Sequence, residues 1–169
     1  MLCTMKLTVE NQYSGTPEQT FASHVAKDAR EQACQESGAV SWEVSVKESA
    51  DGGATVTVDR VMKPNLPDYI AKLVGDSIAI RQVEEWSAPA PDGARTAKVK
   101  LTIKNQPASM DGSASLKPSG DGTREIVEGE VKVAVPFLGK KIEPEIVKVI
   151  EGALRIEQRV GEEWIASHR

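Results

Sequence analysis

Residues 126–167 read IVEGEVKVAVPFLGKKIEPEIVKVIEGALRIEQRVGEEWIAS, and this stretch decides the fold. Up to Pro136 it alternates apolar and polar side chains, the period of a strand with one buried face. From roughly Gly139 to Ser167 the period changes. Ile142, Ile146, Val149, Ala153, Ile156, Val160 and Trp164 recur by threes and fours, while Lys148, Arg155, Arg159, Glu162 and Glu163 take the other side. A helix of that reach is about 40 Å long, enough to cross a whole sheet. Pro144 suits only the first turn, so the spacing predicts a start nearer Ile142. Strands followed by one long closing helix point to a curved sheet wrapped around that helix. Such an arrangement can be hollow, and a hollow interior implies a ligand.

Toward the N-terminus the signal stays β. Ile78 to Trp86, Ala97 to Ile103, Met110 to Leu116 and Ile126 to Val135 alternate; so do Val40, Trp42, Val44 and Val46, and Val56, Val58, Arg60 and Met62. Asp51-Gly52, Asp92-Gly93 and Asp121-Gly122 each stand between two such runs. Asp-Gly favours the positive backbone torsions of tight hairpins, so the sheet is antiparallel. The first strand runs from Lys6 to Tyr13. Thr16 then caps a helix with Pro17 at its first position, and a second helix from about Lys27 stops at Ser37-Gly38. The segment from Pro64 to Pro67 breaks the pattern, and Asp68 to Val74 reads as a short helix ended by Gly75. The expectation is one α+β domain over residues 1–169, with seven strands, two short helices between strands one and two, and a long C-terminal helix.

Composition narrows the function. The net charge is −4 over 169 residues, with lysines and glutamates interspersed, so no basic stripe offers itself to nucleic acid. No run is long enough to span a bilayer, and Met1 to Met5 lacks a leader pattern, so a cytoplasmic location without membrane insertion is expected. Met5 is as good a start as Met1. Cys3 and Cys34 have neither disulfide nor metal-ligand spacing and read as buried or idle thiols. His24 and His168 lack partners at zinc-ligand spacing, and His24 reads as a helix-surface residue. Ser23 and His24 are adjacent and cannot pair as nucleophile and base; Glu84 and Glu85 point to opposite strand faces. Gly139-Lys-Lys141 lacks the glycine of a phosphate loop, so no cofactor, metal or catalytic residue is assigned. Lys98, Lys100 and Lys104 form a solvated row.

Two inward features stand out. Gln82 and Glu84 share parity with Ile78, Ile80 and Trp86, and Arg60 shares it with Val56, Val58 and Met62. A buried charge costs several kcal/mol unless paired, so Arg60 is expected to meet Glu84, or the two to bracket the polar end of a ligand. The alternatives are a bulge that turns Glu84 outward, or positions at a wet cavity mouth. Gly112, Ala114, Gly129 and Ala153 are small where a solid core wants bulk, which means close approach, a bend or space.

The order of strand, two helices, six strands and a long helix resembles the helix-grip superfamily called SRPBCC. That superfamily includes START lipid-transfer domains, polyketide cyclases and pollen allergens. Leu66-Pro67 through Val74-Gly75, Gln82-Val-Glu-Glu-Trp86, Gly129-Glu-Val-Lys-Val-Ala-Val-Pro136, Leu138-Gly139 and Gly161-Glu-Glu-Trp164 are similar to an uncharacterised bacterial family within it, DUF2505. The likeness covers nearly the whole chain, and its motifs are structural punctuation. It implies a cavity between sheet and terminal helix that binds lipids, polyketides or other hydrophobic molecules. The expected lining is Trp42, Tyr69, Ile80, Trp86, Leu101, Met110, Val131, Ile146 and Ile150, with Arg60, Gln82 and Glu84 as its polar members, and the Pro64 to Gly75 segment as a lid. A non-enzymatic carrier or sensor of a small hydrophobic molecule ranks first. A cyclase or aromatase using the same cavity, and a protein-binding module with a filled core, are the other readings.

Overall fold

A computed structural model describes residues 4–63 and 65–169; Met1, Cys3 and Pro64 lie outside them. The strands are β1 (Thr4–Tyr13), β2 (Ser41–Glu48), β3 (Ala54–Met62), β4 (Ile78–Trp86), β5 (Arg95–Ile103), β6 (Ala108–Ser119) and β7 (Gly122–Val133). The helices are α1 (Pro17–Val25), α2 (Lys27–Glu36), α3 (Asp68–Val74) and α4 (Gly139–Ser167). All neighbours in the sheet are antiparallel, in the order β1-β7-β6-β5-β4-β3-β2. α1 and α2 therefore carry the chain from one sheet edge to the other, and the remaining strands return by a meander until β7 pairs with β1.

Local chemistry sets these bounds. Thr16 Oγ1 accepts from the Gln19 amide at 3.2 Å and Gln19 Oε1 accepts from the Thr16 amide at 2.9 Å, a reciprocal cap that starts α1. Gly52 and Gly93 turn two hairpins at positive φ. The third hairpin differs from expectation. Its turn is Gly120-Asp121, with φ +58° at Gly120, and Gly122 already belongs to β7, where a Cβ would strike the Tyr13 carbonyl oxygen at 2.1 Å. α4 spans Gly139–Ser167, as the change of period indicates, and does not start later near Ile142, since Pro144 lies inside it. Gly139 permits the earlier start, because a Cβ there would meet the Val133 carbonyl oxygen at 2.5 Å. Pro144 costs the helix one amide bond in its second turn.

The concave sheet face carries Leu7, Val56, Val58, Met110, Leu116 and Val131, and α4 lays Ile142 and Val147 against it. Ala29 and Ala33 of α2 pack with Val160 of α4 and close one end. The small inward residues divide in two. Gly112 and Gly129 face each other across β6 and β7; a Cβ on Gly112 would lie 2.1 Å from the Glu128 carbonyl oxygen, and one on Gly129 2.9 Å from Met110 Sδ. There glycine allows close backbone approach. Ala114 and Ala153 instead border open space.

Gly112→Ala is accordingly expected to lower stability by about 1–3 kcal/mol through overpacking against backbone. Gly152→Ala, on exposed helix with nothing within 4 Å, is expected to raise it by about 1 kcal/mol. Urea denaturation midpoints that move in opposite directions bear this out; shifts of the same sign contradict it.

Candidate functional site

Between the concave face and α4, with α1 and α2 at one end, lies a cavity of about 90 Å³. A single water needs on the order of 15 Å³ on this measure, so there is room for a small organic molecule. Position along the elements divides the walls. Ile78 and Ile80 of β4, Leu101 and Ile103 of β5, Met110 of β6 and Ile146 and Ile150 of α4 make an apolar end. Two turns further along α4 stands Glu157, and on the other elements Tyr13, His24, Arg30, Gln82, Glu84 and Glu125 make the opposite end polar. Ile103, Ala108, Ile146 and Ile150 are only half-buried, which places the opening at the apolar end.

The polar end is a closed web of buried charge. Arg30 Nη2 donates to Glu84 Oε2 at 2.5 Å, its Nη1 to Glu157 Oε2 at 3.1 Å, and its Nε to the His24 carbonyl oxygen at 2.7 Å. Glu84 also accepts from Gln82 Nε2 at 2.6 Å and Trp86 Nε1 at 2.8 Å. Arg60 Nη2 donates to Gln82 Oε1 at 3.3 Å, and its Nη1 stands 3.7 Å from Glu157 Oε1. Such charges are tolerable in an interior only when paired and hydrogen-bonded. Burial works against the charge on Arg30, but the Glu84 and Glu157 carboxylates outweigh it and hold the guanidinium protonated.

A second pair lies beside the web. His24 Nε2 is 2.5 Å from Glu125 Oε2, its Nδ1 faces the Thr20 carbonyl oxygen at 2.9 Å, and Asn11 donates to Glu125 Oε1 at 2.9 Å. The ring sits between Tyr13 and Trp86, its centroid 5.6 and 5.3 Å from theirs. Burial alone pushes His24 down and Glu125 up, but each is the other's counter-ion. The result is a raised His24 and a lowered Glu125, so the pair is ionic. Burial, followed by the Glu125 charge, pushes the Tyr13 hydroxyl well up.

Arg60, Ile80, Gln82, Glu84, Trp86, Leu101, Met110, Ile146 and Ile150 come together on this wall. Three expected members do not. Trp42 is 37% exposed, because β2 is an edge strand and the helical cover reaches Val44 but not Trp42. Tyr69 is 42% exposed and donates to the Lys141 carbonyl oxygen at 3.3 Å; Ile70 is the inward residue of α3. Val131 is fully buried in the apolar core and does not border the cavity. Arg60 and Glu84 share the inward face as expected, but Gln82 stands between them, and their ionic partners are Glu157 and Arg30. His24 is a largely enclosed member of the site, not a surface residue. Arg30, Glu157 and Glu125 were not anticipated. Arg30 lies in the stripe Ala29, Ala33, Cys34, and Glu157 lies between Ala153 and Val160, so each is a charge on an apolar helix face.

The family described as protein of unknown function (DUF2505) matches residues 8–165, and the chain belongs to that family. An uncharacterised Mycobacterium tuberculosis protein, Rv0481c, is 30% identical over 72% of this chain and 71% of its own. Among solved structures, TTHA0849 from Thermus thermophilus has a TM-score of 0.66 at 15% identity, covering 97% of this chain and 99% of the other. Ara h 8.0201 has a TM-score of 0.57 at 13% identity, covering 98% and 99%. Norcoclaurine synthase from Thalictrum flavum, in complex with dopamine and hydroxybenzaldehyde, has a TM-score of 0.57 at 10% identity, covering 99% and 90%. At these identities the likeness shows the fold, which is the SRPBCC-like helix grip.

Two outcomes are expected of the charges. Arg30→Ala strands Glu84 and Glu157 and should cost about 3–5 kcal/mol in urea denaturation, whereas a loss under about 1 kcal/mol contradicts the network. Raised His24 contributes fully below its ordinary 6.5 and loses that contribution as pH climbs through its folded value; lowered Glu125 contributes above its ordinary 4.5 and loses that as pH falls through its folded value. The advantage of wild type over Glu125→Gln should therefore peak between those two pH values, and a difference flat with pH contradicts the pair.

Proposed function

We propose that this member of DUF2505 binds a small, largely hydrophobic molecule in the cavity between its sheet and α4. The observation that carries this reading is the division of the walls: an apolar end that opens outward, and a buried polar end whose groups are fixed before any ligand arrives. Interiors otherwise pack to crystal-like density, so open space bordered by Ala114 and Ala153 is unlike a solid core. Ligand sites are characteristically apolar pockets with a few placed polar groups. The apolar body of the ligand lies among Ile80, Leu101, Ile103, Ile146 and Ile150, and its polar group faces Arg60, Gln82, Glu84 and Glu157. The complex of norcoclaurine synthase with dopamine and hydroxybenzaldehyde is in keeping with small aromatic ligands in this fold.

One observation favours a second reading, an enzyme of cyclase or aromatase type. The His24–Glu125 pair holds a proton on the cavity wall, beside Tyr13, where it has the composition of a general acid. On this reading turnover requires His24, whereas a carrier needs it only for structure.

The uncharged fluorophore prodan tests the binding reading by equilibrium titration. Wild type should take up one probe per chain. Ala153→Phe, which places a ring in the space, should weaken uptake by about tenfold or more, the equivalent of about 1.4 kcal/mol, with its circular dichroism unchanged. Equal uptake by both, or none by wild type, contradicts a binding cavity.

A further inference from the structure

Hydrogen bonds are shared unevenly within the charged web. Arg30 uses all three of its nitrogens, and both oxygens of Glu84 accept. Glu157 Oε2 is taken by Arg30, but among the described residues Oε1 accepts no hydrogen bond; it stands 3.7 Å from Arg60 Nη1, beyond hydrogen-bond reach. Arg60, a residue only 7% exposed, makes a single side-chain hydrogen bond to oxygen among the described residues, from Nη2 to Gln82, with the Cys34 thiol as a further neighbour. Neither Arg60 nor Glu157 is among the residues with a sealed, unpartnered polar atom, and both side chains line the cavity. One unused donor and one unused acceptor thus stand side by side on the same open space.

The chemistry of that gap selects the ligand's polar group. Arg30 and Arg60 balance Glu84 and Glu157, and Glu125 has its own partner in His24, so no net charge waits to be matched. A carboxylate can only accept there and an ammonium can only donate; either adds an unmatched charge to a low-dielectric interior. An ether or ketone leaves Glu157 unmet. A hydroxyl both donates and accepts, carries no charge, and its single oxygen can stand about 2.8 Å from each atom at once.

We infer that the Arg60–Glu157 gap recognises a hydroxyl group: a phenol or alcohol, on an otherwise hydrophobic molecule, accepts from Arg60 Nη1 and donates to Glu157 Oε1. This rests on the cavity being a binding site and names the class of molecule it takes. Arg60 and Glu157 are specificity-determining residues, and the apolar walls supply most of the contact.

Isothermal titration of the full chain with four molecules that share one body tests it. The probes are butylbenzene, para-butylphenol, para-butylbenzoate and para-butylbenzylammonium. The phenol should bind about tenfold or more tighter than butylbenzene, and both ions more weakly than butylbenzene. Glu157→Gln leaves the web with one excess positive charge, so it should lose the preference for the phenol and gain affinity for the benzoate while still binding butylbenzene. Equal affinity of wild type for butylbenzene and the phenol, or a preference for either ion, overturns hydroxyl recognition and leaves the binding cavity standing. Failure of all four to bind overturns the cavity reading and this one with it. The wild-type series decides by itself, so a variant that fails to fold leaves the test intact.

Discussion

The arrangement depends on a constraint: charges buried in an interior must find one another. Arg30 comes from α2, Arg60 from β3, Gln82 and Glu84 from β4 and Glu157 from α4, so a single web spans four elements. Arg30–Glu84 ties α2 to the sheet, Arg60–Glu157 ties the sheet to α4, and Arg30–Glu157 ties the two helices to each other. Long arginine side chains reach across the space instead of letting the helix settle on the strands, and the alanines around them do not fill what is left. Buried ion pairs are seldom more stable than well-packed apolar replacements. What they supply here is a polar surface of fixed geometry at the inner end of an apolar cavity.

Much of this was legible in the chain, and the reason is periodicity. Strand parity placed Arg60, Gln82 and Glu84 on the inward face, and the threes and fours of the last helix placed Ile146 and Ile150 on the wall. Both are local patterns that survive folding unchanged. The partners of those charges were less legible, since a charged residue on a helix is ordinarily solvated, and Arg30 and Glu157 look ordinary until their positions within apolar stripes are noticed. His24 and Glu125 lie on a helix and a strand that only the closed sheet brings together. Trp42 and Tyr69 have the right side chains but sit where an edge strand and a short helix run out of cover. Parity shows which way a residue points, not whether anything stands over it.

The same distinction bears on function. The helix-grip fold is shared with proteins whose structures are only 10–15% identical to this one, and a fold so widely used does not carry an activity with it. The site does. The cavity's apolar end is lined by half-buried aliphatic side chains and opens outward. At the cavity's polar end, almost every hydrogen-bonding group is already engaged and only a narrow gap remains. The neighbouring His24–Glu125 pair adds a second buried ionic contact within the same walls.

A crystal structure determined under xenon pressure would reveal whether the interior is hollow, because xenon enters apolar space that is open and leaves packed side chains alone. With a hollow interior, xenon is expected among Ile80, Leu101, Ile103, Ile146 and Ile150, and an ordered water between Arg60 and Glu157. A helix α4 resting directly on Leu101 and Ile103, with no xenon beneath it, would mean a filled core and no binding cavity.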